Sequence, residues 1–300
     1  MTFRVDPEGT EMVTAENIEQ KTRKVAAVAP ARKRPKGSGW SNGTVVTMRI
    51  VVIVAFLAVW QLISGRLIPD YAISRPTEVA ASLWKLLISS SGWTDIWATT
   101  VEVVVGFGLG IALGAVLGLV LGSFTTAGRV LEPLMAAING IPKIALAPLF
   151  MLFFGIGAWS KITIAAMGVA FVMFYNLYLG LRQIDHELVQ GIQMMGGRRH
   201  HVLFYVTIPT LASPFFAALK AGGPLAILGV IGGEFIASSK GVGHELFTSA
   251  MALDAAGEFA GLIILVVMTL VLNGLLSELD SYALKRLGLG VRRSAQRTRA

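Results

Sequence analysis

The chain has no cysteine among its 300 residues. Disulfides, thiolate metal sites and cysteine nucleophiles are therefore excluded. Charge is also scarce, at 15% of residues, where a soluble domain carries about 25% to hydrate its surface. An ordinary soluble enzyme does not fit that composition. No Gly-x-x-x-x-Gly-Lys-Ser/Thr phosphate loop occurs, so the chain cannot cradle ATP by that means. The apolar segments carry neither a catalytic dyad nor a set of metal ligands, which argues against an intramembrane enzyme.

Apolar residues dominate instead, at 54% of the chain, with a mean hydropathy of +0.66. They fall in long runs, and each crossing of a bilayer needs about 20 such residues. Six candidate spans follow, at 45–64, 100–122, 134–154, 161–181, 215–237 and 258–278. The expected class is an all-α polytopic membrane protein with its helical domain over 44–284. Residues 76–89 are too short and polar to cross and read as an amphipathic helix at the interface. No cleavable signal peptide is expected, because the first apolar run starts near Val45 behind a long hydrophilic leader.

The flanks read as tails. Residues 1–43 mix acidic and basic residues with Pro30, Pro35, Gly37 and Gly39, and such a stretch buries too little apolar area to order itself. Residues 285–300 form a second basic tail. With the amino terminus inside, cytoplasmic segments hold nineteen Lys and Arg against five outside, as the positive-inside rule requires. Both termini are expected in the cytoplasm. The basic tails suit anionic lipid or topology marking better than nucleic acid.

Glycine patterning is specific. Gly106, Gly110, Gly114, Gly118 and Gly122 recur every four residues in the second span, which lines a groove for close helix approach. The fifth span contains Gly222, Gly223, Pro224, Gly229, Gly232 and Gly233, and the third contains Asn139, Gly140, Pro142, Lys143 and Pro148. Both are expected to be kinked, either as a moving part or as fixed bends that shape the bundle. Glu102 and Glu234 are carboxylates near the outer ends of their spans, able to reach the interface or to line a watery path. Asn139, Lys143, Tyr175, Asn176 and Glu234 are the candidate pathway residues. A metal site at His200 and His201 is disfavoured, since adjacent helical side chains point about 100° apart.

The segment from Gln190 to Pro209, QGIQMMGGRRHHVLFYVTIP, is a basic loop between the fourth and fifth spans. Gly196 allows a turn between two short helices, and Pro209 with Pro214 is expected to stop the second. Leu203, Phe204 and Tyr205 are apolar knobs on this wet segment, the usual mark of a contact surface. The loop resembles the EAA signature of ABC-importer permeases. Gly196 falls six after Gln190, Val206 follows after nine intervening residues, and Ile208-Pro209 closes the pattern. Gln190, Gly191 and Ile192 stand where Glu-Ala-Ala is usual. ISRPTEVAASLWKLL, IPKIALAPLFMLFFGIGAWSKI and GVIGGEFIASSKGVGHEL, with the loop, occur in the order of permeases for nitrate, sulfonate and taurine.

The resemblance implies the type I ABC importer permease fold and a transport subunit with no cofactor of its own. It places Gln190, Gly191, Ile192, Gly196, Val206, Ile208 and Pro209, within 182–214, against an ATP-binding subunit that carries ATP and Mg. A second permease copy, a solute-binding protein and a bacterial inner-membrane setting are implied as well. The solute would be a small organic or inorganic anion. An ion-gradient-driven secondary transporter is the alternative, a class marked by paired broken helices and a midplane acid.

Overall fold

The computed structural model describes residues 42–286. The chain divides into two units, Met1–Phe56 and Leu57–Ala300. The described part of the first is the leading portion of helix α1 (Asn42–Ile63), whose apolar side chains are exposed. The expected tails lie outside the described residues, except that Asn42, Gly43, Lys285 and Arg286 are helical.

In the second unit the end of α1 places Trp60 with its ring 5.4 Å from Phe259. Helix α2 (Pro76–Ile88) starts on a proline, whose missing N–H costs nothing in a first turn. It buries Val79 and exposes Trp84 and Ile88, the two-faced character its sequence predicts. Ser89 ends α2 and begins α3 (Ser90–Ser123), its hydroxyl accepting from the Gly92 N–H at 3.0 Å. At 34 residues, α3 extends well before the expected span at 100–122.

The third expected span, 134–154, is not one kinked helix. It is α4 (Thr125–Asn139), a break, a 3-10 turn over Lys143–Leu146 and α5 (Ala147–Phe154), with a bend of 79° across the break. Gly140 caps α4, and Pro142 is extended and lacks an N–H, so the ladder cannot continue. Helix α6 (Ala158–Arg182) follows, then α7 (His186–Met194), α8 (Arg199–Val202), a π turn over Leu203–Thr207 and α9 (Ile208–Ala237). Helices α10 (Val242–Met251) and α11 (Ala255–Arg286) complete the described chain.

The expectation that Pro209 and Pro214 stop a helix is overturned. Helical structure runs unbroken over Arg199–Ile236, with Pro214 and Pro224 inside α9. A proline clashes with the carbonyl four residues before it. The π turn ahead of Pro209 widens the coil at that point, which lets the helix pass. Five described helices are long and apolar enough to cross a membrane, or six if the bent pair counts as one.

The core lies between α3, α6 and α9, where Phe107, Val169, Met173, Leu219, Ala226 and Val230 interlock. The glycine seam is a packing face. A Cβ on Gly114 would lie 2.3 Å from the Ala170 carbonyl oxygen, and one on Gly110 would lie 2.6 Å from Val169 Cβ. Gly106, Gly118 and Gly122 meet α6 in the same way. Opposite them, Gly229 of α9 lies against the Ala165 backbone. Helix α6 is thus gripped from two sides by backbones that only glycine brings so close.

Candidate functional site

Three constellations emerge along the α3–α6–α9 core. At one end lies the segment that joins α6 to α9. Asp185 starts α7, its Oδ1 accepting from the Glu187 N–H at 2.8 Å. Gln190 is exposed on this helix, with Gly191 and Ile192 half-buried. The chain then reverses at Gly196, whose φ of +80° is open to glycine and strained for other residues. The Gly197 N–H returns to the Ile192 carbonyl at 2.9 Å and closes the turn. His201 Nδ1 accepts from the Arg198 N–H at 3.0 Å and so caps α8. Among the described residues no group of His, Asp and Glu is arranged to hold a metal ion.

Val206 is buried and anchors the segment, whereas Ile208 is partly exposed. Phe204 and Tyr205 are exposed, as the sequence suggests. The most projecting apolar residues are ones that sequence reasoning passed over, Met194 at 83% and Met195 at 89% exposure. Two adjacent methionines in a basic loop are a readable signal, because flexible thioethers suit adaptable contact surfaces. The segment also connects firmly to its flanking helices, since Pro214 of α9 packs on Gly180 of α6.

The second constellation sits at the break between α4 and α5. The Lys143 ammonium donates to the Asn139 backbone carbonyl and to Asn139 Oδ1, the latter at 2.8 Å. It lies 5.2 Å from the centre of the Phe171 ring on α6. Two candidate pathway residues are therefore brought together. Tyr175 lies one turn further along α6, packed edge-on against Phe174 at 5.0 Å. Asn176 does not join them, its amide donating to the Val172 carbonyl of its own helix at 2.9 Å. Nearer the loop, Glu132 of α4 accepts from the Tyr178 hydroxyl at 2.9 Å and meets Arg182 at 3.3 Å, which ties α4 to α6.

Glu234 belongs to the third constellation, at the end remote from the loop, and it is only 1% exposed. Its Oε1 accepts from the Thr99 hydroxyl at 2.7 Å and its Oε2 from the Gly243 N–H at 2.6 Å. Thr99 accepts in turn from the Val242 N–H at 2.9 Å, and Asp95 from the Gly241 N–H at 2.8 Å. The first amides of α10, orphaned by helix geometry, are thereby bound to α3 and α9. Glu102 pairs with Lys161 of α6, which also donates to Ser238 at 3.0 Å. Neither Glu102 nor Glu234 reaches the surface, so the interface role open to them in the sequence is not the one they take.

The chain as a whole is similar to known proteins. Residues 106–287 match the model of a binding-protein-dependent transport system inner membrane component. The riboflavin transport system permease RibX of Chloroflexus aurantiacus is 33% identical, over 87% of this chain and 97% of that one. The putative aliphatic sulfonates transport permease SsuC of Bacillus subtilis is 26% identical, over 85% and 91%. Among solved structures, inward facing conformations of the MetNI methionine ABC transporter share the fold at a TM-score of 0.55 and 17% identity, over 63% of this chain and 94% of that one. The chain belongs to the family of binding-protein-dependent transport system inner membrane components, the ABC-type permeases that its loop signature resembles.

Proposed function

We propose that this chain is the membrane-spanning subunit of an ATP-driven importer in the bacterial cytoplasmic membrane, with both termini in the cytoplasm. It works as a dimer of permease copies, with a separate ATP-hydrolysing subunit and a solute-binding protein outside. The observation that carries this reading is the α7–Gly196–α8 segment, an exposed surface of apolar residues built on the ends of α6 and α9. Those helices share the core, so a push on the segment reaches the break at Lys143 and the latch around Glu234. ATP binding favours the closed pair of hydrolase subunits, and that differential affinity supplies the bias between the permease's two states.

The solute is a small anion of the sulfonate, taurine or nitrate kind, a reading supported by the SsuC likeness. A second reading, a flavin-like heteroaromatic, draws on the likeness to RibX. Uptake of labelled taurine and riboflavin into proteoliposomes that contain the complete complex separates the two.

The mechanism is tested with Gly196→Val in the same vesicles. The expected result is normal membrane insertion with ATP hydrolysis uncoupled from uptake. Normal uptake by this variant would overturn the coupling assignment. Uptake that persists without ATP and collapses with an uncoupler would instead favour an ion-gradient-driven transporter.

A further inference from the structure

Lys143, Lys161 and Lys220 lie within candidate membrane spans, and the last two meet carboxylates. Lys161 meets Glu102 at 2.5 Å, and Lys220 of α9 meets Asp280 of α11 at 2.5 Å. Lys143 differs. Its recorded partners are the carbonyl and amide oxygens of Asn139 and the ring of Phe171, with no carboxylate among the described residues.

Its depth makes that difference matter. Phe171 stands near the midpoint of the 25-residue α6, so the ammonium is roughly 18 Å along the axis from either end of that helix. A cation at mid-depth is costly, normally faces protein or a watery cavity, and pairs with an opposite charge. Asn139 and Phe171 hold the ammonium through neutral dipoles and a ring face, which orient it and leave its charge uncompensated. The break at Gly140–Pro142 also leaves backbone off the helical ladder there, an arrangement found at membrane depth where a segment is buried or lines a cavity.

We infer that Lys143 is the point at which the permease binds the anionic group of its solute in transit, selecting small solutes that carry a sulfonate, carboxylate or phosphate. This rests on the transport reading above and adds to it the residue and the charge that it selects. Lipid headgroups are unsuited as the anion, since they lie at the bilayer surface and the ammonium lies against the middle of α6, far from either helix end.

The absence of native cysteine supplies a clean test. Gly140→Cys places a single thiol at the break, where an added Cβ has no heavy atom nearer than 3.3 Å. The exposed Ile141→Cys serves as a second position if the first fails to insert. Full-length permease in native membranes is treated with a sulfonate-bearing thiosulfonate reagent and with its trimethylammonium counterpart. Relative to their ratio against a free thiol, the anionic reagent is expected to react about tenfold faster or more, as a fixed positive charge beside the thiol concentrates anions there. Lys143→Gln in the same background is expected to abolish the preference and Lys143→Arg to keep it. Millimolar methanesulfonate should slow labelling, while the neutral dimethyl sulfone should not.

No labelling at either position, equal rates for the two reagents, a preference that survives Lys143→Gln, or equal protection by the sulfone would each overturn the anion site. An intact preference in a complex that shows no ATP-driven uptake supports the site and strikes the import mechanism alone.

Discussion

Lys161 Nζ lies 2.5 Å from Glu102 Oε1, with both side chains 95% withdrawn from the surface. This pair joins α6 to α3 at the end remote from the loop. The Glu234 network abuts it, since Thr99, three residues before Glu102 on α3, bonds Glu234, and Gly233, next to Glu234 on α9, packs against Lys161. One end of the permease core is therefore held by charge and hydrogen bonds, and the middle by glycine-mediated apolar packing.

Removing one member of the pair should be worse than removing both. Lys161→Met leaves Glu102 buried and uncompensated, with an expected loss of about 3–5 kcal/mol. Adding Glu102→Gln replaces the stranded charge with a neutral amide and should restore much of that stability. The thermal transition of the detergent-solubilised protein, followed by size-exclusion chromatography, checks the order of the two variants.

Gly241→Ala should detach the start of α10. Gly241 has φ +117°, and a Cβ there would lie 2.1 Å from Glu234 Oε1. The amides of Gly241, Val242 and Gly243 would lose their partners on α3 and α9 together. Hydrogen exchange over Val242–Met251 is expected to accelerate, with the α3–α6 seam still protected.

Two glycines in α3 offer a contrast in one helix. Gly114→Ala drives a methyl to 2.3 Å from the Ala170 carbonyl oxygen, and overpacking of this kind costs about 1–3 kcal/mol. Gly108→Ala meets nothing within 4 Å and should be neutral, or stabilise by about 0.5–1 kcal/mol through helix propensity. Equal thermal stability of the two variants would contradict the seam.

Met194→Asp with Met195→Asp should leave stability within about 0.5 kcal/mol, as surface substitutions do. It should also abolish association with the proposed ATP-binding subunit. Copurification with that subunit from solubilised membranes is the readout.

Several of these features are legible in the sequence. The four-residue glycine period predicts the α3 seam because helix periodicity puts those positions on one face. Gly196 was readable as a turn, and its positive φ bears that out. The first ten residues of α3, SSGWTDIWAT, were not legible as part of a long helix. Hydropathy registers affinity for lipid, and this stretch is retained by Asp95 and Thr99 reaching amides more than 140 residues away. Pro209 and Pro214 depart from the sequence expectation for a related reason. Proline's local effect is disruptive, but a π turn and packing against Gly180 accommodate it.

Composition and period by themselves determined that this chain lives in a bilayer, which helix face is smooth, and where the connecting segment turns. These are properties of neighbouring residues, set by transfer free energy and backbone sterics. Tertiary structure alone decided that Glu234 clasps α10, that Lys161 is neutralised by Glu102, and that Lys143 rests on Asn139 and Phe171 with no carboxylate beside it among the described residues. An ion pair depends on a few ångströms of separation between groups far apart along the chain, and only the packing of α3, α6 and α9 sets that distance.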